Sequence, residues 1–165
     1  MAVTPDEAVA IPRPPEVHRL PDELVASTPF LLKRLMLVSK DRVMEAYEET
    51  GLHPYHRAVL AVLDEGSRET QGAIADVLGY DRGQLVGLLD ELEERGLVER
   101  QRDPSDRRRH IVRMTPAGKR TLEKLRALAA SLEDEFLAPL DEAERAQLHA
   151  LLLRVAEHHM PSCSR

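Results

Sequence analysis

Between Thr70 and Met114 the spacing of apolar residues changes twice, and that succession restricts the fold more than anything else in the chain. "TQGAIADVLGY" has helical spacing over a short stretch, which predicts a helix with Ile74, Val77 and Leu78 inward and Gly79 as its stop. "DRGQLVGLLDELEERG" follows at once. Its Leu85, Leu88, Leu89 and Leu92 fall at i, i+3, i+4 and i+7, the core stripe of a second helix ended by Gly96. Asp81 and Gln84 sit at capping-box spacing before that stripe, although the usual first residue is Ser or Thr. Helical spacing then gives way to "LVERQRD" and "HIVRMT", two short β-rich segments on either side of a turn. Asp103-Pro104-Ser105-Asp106 supplies the chemistry of that turn.

Two short helices joined by a turn, with a hairpin directly after them, form a winged helix-turn-helix. The remaining sequence surrounds it with helices. "STPFLLKRLMLVSKDRVMEAYEET" predicts one from Thr28, as cap, to about Thr50, stopped by Gly51. Its first half is apolar nearly all round, from Phe30 to Val38, so it must be covered on more than one side. In a chain of 165 residues the second cover expected is another subunit. "HPYHRAVLAVLDEG" opens on Pro54 and is lined by Val59, Leu60 and Leu63. Thr115-Pro116 caps a long helix carrying Leu122, Leu125, Leu128 and Leu132, and Pro139 breaks it. Asp141 and Glu144 open a last helix lined by Leu148, Leu151, Leu152 and Val155. Aromatic residues are 3% of the chain and Trp is absent, so the core rests on Leu, Val, Ile and Ala, which suits helices. The fold class expected is therefore mainly α with a small β-hairpin wing (α+β).

The chain is acidic, with a net charge of -6, so any contact with nucleic acid has to be local. Residues 99–113 supply the exception: six arginines against three acids, a local excess of three positive charges. Arg107, Arg108 and Arg109 extend from the turn like a fork, able to lie along phosphates or enter a narrow minor groove. In this fold the second of the paired helices enters the major groove, led by its first residues. Here those residues are Asp81-Arg82-Gly83-Gln84, and Arg and Gln can pair bidentately with guanine and adenine edges. Gly83 and Gly87 lie opposite the leucine stripe, at a cost of roughly 1 kcal/mol each relative to Ala. A bare strip makes sense if something must come very close. Asp90 and Glu94 further along the same face would repel phosphates, so only the first half of the helix should enter a groove. Thr70 and Gln71, opening the preceding helix, complete the set of DNA-binding candidates. The plainer alternative is an amphipathic helix with surface glycines, a Gln84 that only caps, and a solvated charged turn.

"LEERGLVERQRDPSDRRRHIVRMTPAG" resembles the wing region of MarR-type transcriptional regulators. The family's pattern appears as Asp106, Arg108, Val112, Met114, Thr115 and Gly118, with Val and Met where two leucines are usual. The resemblance covers about residues 28–160 and implies a homodimer whose first and last two helices intertwine above two winged domains. On that basis residues 1–21, with five prolines, form a flexible arm, and 22–52 with 116–160 form the helical dimerisation region. Residues 53–115 form the winged DNA-binding domain and 161–165 a tail. A two-fold dimer should read a pseudo-palindromic operator in double-stranded DNA, with half-sites about one helical turn apart.

The resemblance further implies a pocket for a small aromatic or anionic effector between the dimerisation helices and the winged domain. Its candidate lining is Met36, Lys40, Tyr47, His53, Tyr55, His56 and Arg57; the alternative is that Met36 and the tyrosines are plain core. A peroxide-sensing cysteine in the first helix is absent, because the one cysteine is Cys163. A metal-responsive regulator could use His149, His158, His159 and Cys163, but adjacent histidines point different ways on a helix and no compact ligand pair accompanies them. No cofactor is expected. No enzymatic activity is expected: no phosphate-cradling glycine loop and no nucleophile with a placed base is present. A winged-helix module that binds protein rather than DNA is the remaining competitor, and the arginine tip speaks against it. One cysteine cannot form an internal disulfide, and there is neither a signal-peptide pattern nor an apolar run long enough for a membrane, so a cytoplasmic location is expected.

Overall fold

A computed structural model describes residues 19–66, 69–106 and 109–160, and within them the element order is seven helices and three strands. The chain divides into two units, Met1–Leu37 and Val38–Arg165.

The described part of the first unit holds α1 (Asp22–Val25) and the first half of α2 (Thr28–Glu48). Helix α2 is capped one residue earlier than expected. Ser27 Oγ accepts from the Phe30 N–H at 3.4 Å, and Thr28 is already helical. The apolar side chains Leu31, Leu32, Leu35, Met36 and Leu37 are all exposed.

The second unit holds the rest of α2 and α3 (Pro54–Gly66), β1 (Glu69–Thr70), α4 (Gln71–Leu78) and α5 (Arg82–Glu94). Strands β2 (Val98–Arg102) and β3 (His110–Met114), then α6 (Pro116–Phe136) and α7 (Glu142–His159), complete it. The core gathers one stripe from each of α3 to α6: Val59, Leu60 and Leu63; Ile74 and Ala75; Leu85, Leu88, Leu89 and Leu92; Leu122 and Leu125. Strands β2 and β3 pair antiparallel from Val98↔Met114 to Arg102↔His110, and their inward residues Val98 and Val112 close the core from the sheet side. The sheet has a third strand that the sequence pattern does not reveal. Glu69 and Thr70 pair with Val112 and Ile111, so the order is β1-β3-β2.

Helix α4 turns differently from the sequence expectation. Val77 faces solvent at 58% exposure, and Ala75 takes the inward place beside Ile74. Gly51, Gly79 and Gly96 all end their helices at positive φ, 64°, 65° and 67°. Gly118, in the Thr115–Gly118 segment, is required for a different reason: a Cβ there would collide with the Leu97 carbonyl oxygen. The same junction is pinned by Thr115, whose Oγ1 accepts from the Gly118 N–H at 3.0 Å and donates to the Gly96 carbonyl at 2.7 Å. The base of the wing is thereby held against the start of α6.

Candidate nucleic-acid interface

Helix α4 begins on a side-chain cap, with Thr70 Oγ1 accepting from the Ala73 N–H at 3.2 Å. Helix α5 begins the same way: Asp81 Oδ1 accepts from Gly83 N–H at 2.8 Å and from Gln84 N–H at 3.2 Å. The Asp81 half of the expected capping box is therefore in place, and the recorded cap at this helix is Asp81 alone. These two starts and the wing face one another across a cleft of about 560 Å³. Thr70, Gln71 and Gly72 line it from α4, Arg82 from α5, and Arg109 and His110 from the wing.

Glycine bares the cleft wall at Gly72 and the exposed side of α5 at Gly83 and Gly87. Among the described residues nothing lies within 4 Å of where a Cβ would stand on Gly72 or Gly87, and at Gly83 only the capping Asp81 carboxylate comes near. A rod-like polyanion could thus touch helix backbone at three places. Arg82 is exposed and makes no ion pair or hydrogen bond among the described residues, which leaves its guanidinium available. Gly83 and Gly87 lie on the exposed side of α5 with Gln84, opposite the buried Leu85, Leu88, Leu89 and Leu92. Asp76, also in the cleft wall, is its one acid, and a carboxylate there can accept from a cytosine amino group but repels phosphate. Gly72 and Asp76 are additions to the sequence-derived set. A glycine in the first turn of a helix was the available signal for Gly72; nothing in the pattern marked Asp76.

The wing turn is built by its acids. Asp103 Oδ1 accepts from the Ser105 N–H at 2.8 Å and from its hydroxyl at 2.6 Å, which holds the Asp103 carboxyl below the usual range. Backbone bonds from Asp103 N–H to Arg109 O and from Arg109 N–H to Asp106 O close the turn. Arg109 lies 3.3 Å from Asp106, with two thirds of its side chain exposed. Arg107 and Arg108 lie outside the described residues.

The arginine excess divides into two kinds. Arg100 turns away from the tip and onto α5, where its Nε donates to Glu93 Oε2 at 2.9 Å and its Nη2 reaches Asp90 Oδ1 at 2.6 Å. Glu93 also accepts the Arg100 N–H at 3.0 Å, and these bonds hold the Glu93 carboxyl below its ordinary range. Arg100 is therefore a strut between α5 and β2. It also offsets Asp90, one of the two acids that would otherwise repel a phosphate approaching α5.

A second cavity, of about 510 Å³, lies among α2, α3 and α6. Val43, Leu132, Phe136 and Leu137 give it apolar walls, and Ser39, Tyr47, Arg57, Arg126 and Glu133 give it polar ones. Tyr47 is buried, and that burial pushes its hydroxyl pKa up against the opposing pull of Arg57. Arg126 is held by Asp64 at 2.9 Å. Of the seven effector candidates, this cavity brings together Tyr47 and Arg57. Lys40, His53, Tyr55 and His56 stand outside its lining, and Met36 is an exposed residue of the first unit. His56 instead sits in the core beneath α5, its Nδ1 accepting from the His53 N–H at 2.9 Å and its Nε2 3.2 Å from Glu91. His53, Tyr55 and Tyr80 form a ladder of rings with centroids 4.4 and 5.2 Å apart. Among the described residues no three His, Cys, Asp or Glu side chains gather as a metal site, and Cys163 lies outside them. No described helix is long and apolar enough to cross a membrane.

Comparison with known proteins agrees with this geometry. Residues 50–109 match the model of the MarR family. The transcriptional repressor CouR, solved bound to a 23-mer DNA duplex, is 35% identical with a TM-score of 0.75, over 84% of this chain and 99% of that one. The PcaV transcriptional regulator from Streptomyces coelicolor, solved with its natural ligand, is 27% identical with a TM-score of 0.67, over 84% of this chain and 98% of that one. A putative transcriptional regulatory protein for the hcr operon of Thauera aromatica is 34% identical over 105 residues, 64% of this chain. The match spans 63% of that relative's length, less than two thirds. All three are transcriptional regulators rather than enzymes.

Proposed function

The chain belongs to the MarR family, and on that premise we propose that it is a sequence-specific, double-stranded DNA-binding transcriptional repressor that acts as a homodimer and responds to a small ligand. The observation that carries the DNA reading is the cleft of α4, α5 and wing, lined by the bare Gly72 and the available Arg82, with Gly83 and Gly87 bare on the exposed side of α5. Arg82 and Gln84 read base edges from the start of α5. Thr70, Gln71 and the three backbone-exposing glycines position the duplex, and Arg107, Arg108 and Arg109 of the wing follow phosphates or the minor groove. CouR, the DNA-bound relative, supports this assignment by its likeness.

The dimer is supported by the exposed apolar side chains of α2 and α7, which an isolated chain would leave in water. The ligand reading rests on the cavity at Tyr47 and Arg57, and PcaV with its natural ligand is the relative that suggests it. Aromatic walls and guanidinium groups fit an aromatic carboxylate. Its binding would favour a spacing of the two α5 helices that no longer matches successive major grooves.

The test is fluorescence anisotropy with DNA from upstream of the protein's own gene, against a shuffled duplex, at two salt concentrations. Tighter binding to the natural duplex that weakens with salt supports the reading, with Arg82→Ala removing the preference between duplexes. Absence of binding at low salt returns the protein to the class of winged-helix modules that bind other proteins.

A further inference from the structure

A third cavity, of about 560 Å³, lies between the C-terminal end of α2, the turn from α5 to β2, and the N-terminal half of α6. It shares no lining residue with the cavity at Tyr47 and Arg57, and it occupies a different face of α6. Its apolar wall is aliphatic throughout: Ala46, Leu52, Leu97, Leu125 and Leu128, with no aromatic ring. Leu52, Leu97 and Leu125 also belong to the buried core, so the floor is firm.

Two cations stand on the rim, Arg95 and Lys124, with Glu49 as the single acid. Neither cation makes an ion pair or hydrogen bond through its side chain among the described residues. Arg95 is exposed and lies beside Gly51. Gly51 adopts φ +64°, and a Cβ on it would stand 3.3 Å from Arg95 Nη1, so the absent side chain lets the guanidinium lie against the turn before α3. A guanidinium beside that turn, with no ion pair among the described residues and a leucine floor beside it, has the chemistry of a carboxylate subsite. The volume is that of an ordinary small-molecule site.

We propose that this cavity binds an unbranched aliphatic carboxylate of medium chain length, its head at Arg95 and Lys124 and its chain on Leu52, Leu97, Leu125 and Leu128. The ligand differs in class from the aromatic acid suited to the other cavity, because the ring-bearing residues Tyr47 and Phe136 are there and none is here. Arg95 is the C-cap of α5, so an occupant would touch the far end of the helix that carries Arg82 and Gln84.

The experiment is calorimetric titration of octanoate into the full chain, with octanol and hexanoate as controls. One site per chain is expected. Arg57→Gln leaves its Kd unchanged, and Arg95→Gln and Lys124→Gln, both at exposed positions, each weaken it severalfold. Each methylene settled on the leucine wall is worth up to about fourfold in affinity, so hexanoate binds up to about fifteenfold more weakly. Octanol that binds as well as octanoate overturns the carboxylate assignment. Octanoate binding lost in Arg57→Gln but kept in Arg95→Gln and Lys124→Gln assigns the ligand to the other cavity and overturns the proposal, as does no binding at all.

Discussion

Helices α5 and α7 are written in the same residues and end in different situations. Both are capped by an aspartate, both are rich in leucine, and both carry several charged residues. Helix α5 buries Leu85, Leu88, Leu89 and Leu92, and ties its outer acids to Arg100. Helix α7 buries none of its residues, and Leu151, Leu152 and Val155 stay 41–55% exposed. What separates them is the presence of a partner surface within the chain. For α5 that surface is supplied by α3, α4 and the sheet. For α7 the recorded anchor is at its start, where the Arg145 guanidinium meets Asp134 at 2.7 Å and the Leu140 carbonyl at 3.1 Å. An apolar face kept in water by a well-capped helix points to a surface outside the chain.

The largest effect should come from the packed member of the pair. Leu89→Ala removes a fully buried side chain at the meeting of α5 with the core and is expected to lower unfolding stability by about 2–5 kcal/mol. Urea titration measures it, and an unchanged denaturant slope would show that only the folded state was affected. A loss below about 1 kcal/mol would mean that α5 is looser than its burial indicates.

The caps give a closer comparison. Asp81→Ala and Asp141→Ala each remove one side-chain acceptor from a helix start, at a cost of about 1 kcal/mol. Asp81→Ala should cost more, because Asp81 Oδ1 accepts from both Gly83 and Gln84 N–H, whereas Asp141 Oδ1 accepts from Glu144 N–H alone and the bond from the Asp141 backbone N–H to Glu144 Oε2 survives the substitution. Asp81→Ala should also weaken DNA binding, since that cap fixes where Arg82 and Gln84 emerge. Equal stability losses with unchanged DNA affinity would separate the cap from the reading of bases.

Acid should act on α5 through His56. Burial holds the imidazole below its ordinary value of 6.5, Glu91 opposes that, and His53 and Arg95 add to it. The folded chain then binds fewer protons at this site than the unfolded chain, so stability rises with pH across the interval. The contribution is whole above pH 6.5 and is lost as pH falls from there towards the depressed folded value. Protonation of Nδ1 would also end its bond from the His53 N–H. Urea midpoints between pH 5 and 8 test this: His56→Gln should flatten the slope near pH 6, and an unaltered slope would assign it to other groups.

Why was α5 legible in the sequence when other parts were not? Its stripe of four leucines has an unambiguous period, and the cap and stop stand at either end. The same holds for Thr115 and Gly118, whose spacing survives as a physical lock on Leu97. Helix α4 has only eight residues, and over two turns the pattern could not tell that Ala75 rather than Val77 faced inward. Strand β1, with two residues, has no period at all. The run of arginines could not be divided by sequence into the tied Arg100 and the exposed Arg109, because the tie comes from acids on a different element. Both cavities draw their walls from helices distant along the chain, so their lining residues emerge only from packing.

The smallest effect within one chain is expected at Leu152, and it is the most informative. Its side chain is already 41% exposed, so Leu152→Glu removes little that a single chain buries, and intrachain stability should change by about 0.5 kcal/mol or less. If a second copy covers this face, the cost appears in association. Light scattering coupled to size exclusion should then give a single-chain mass at concentrations where the unaltered protein is a dimer. The unfolding midpoint should likewise stop rising with protein concentration, as it does only while folding and pairing are linked. Should Leu152→Glu remain a dimer with an unchanged midpoint, the exposed leucines of α7 would not be an interface. The contrast with α5 would then reflect a helix made stable by its caps and charges alone.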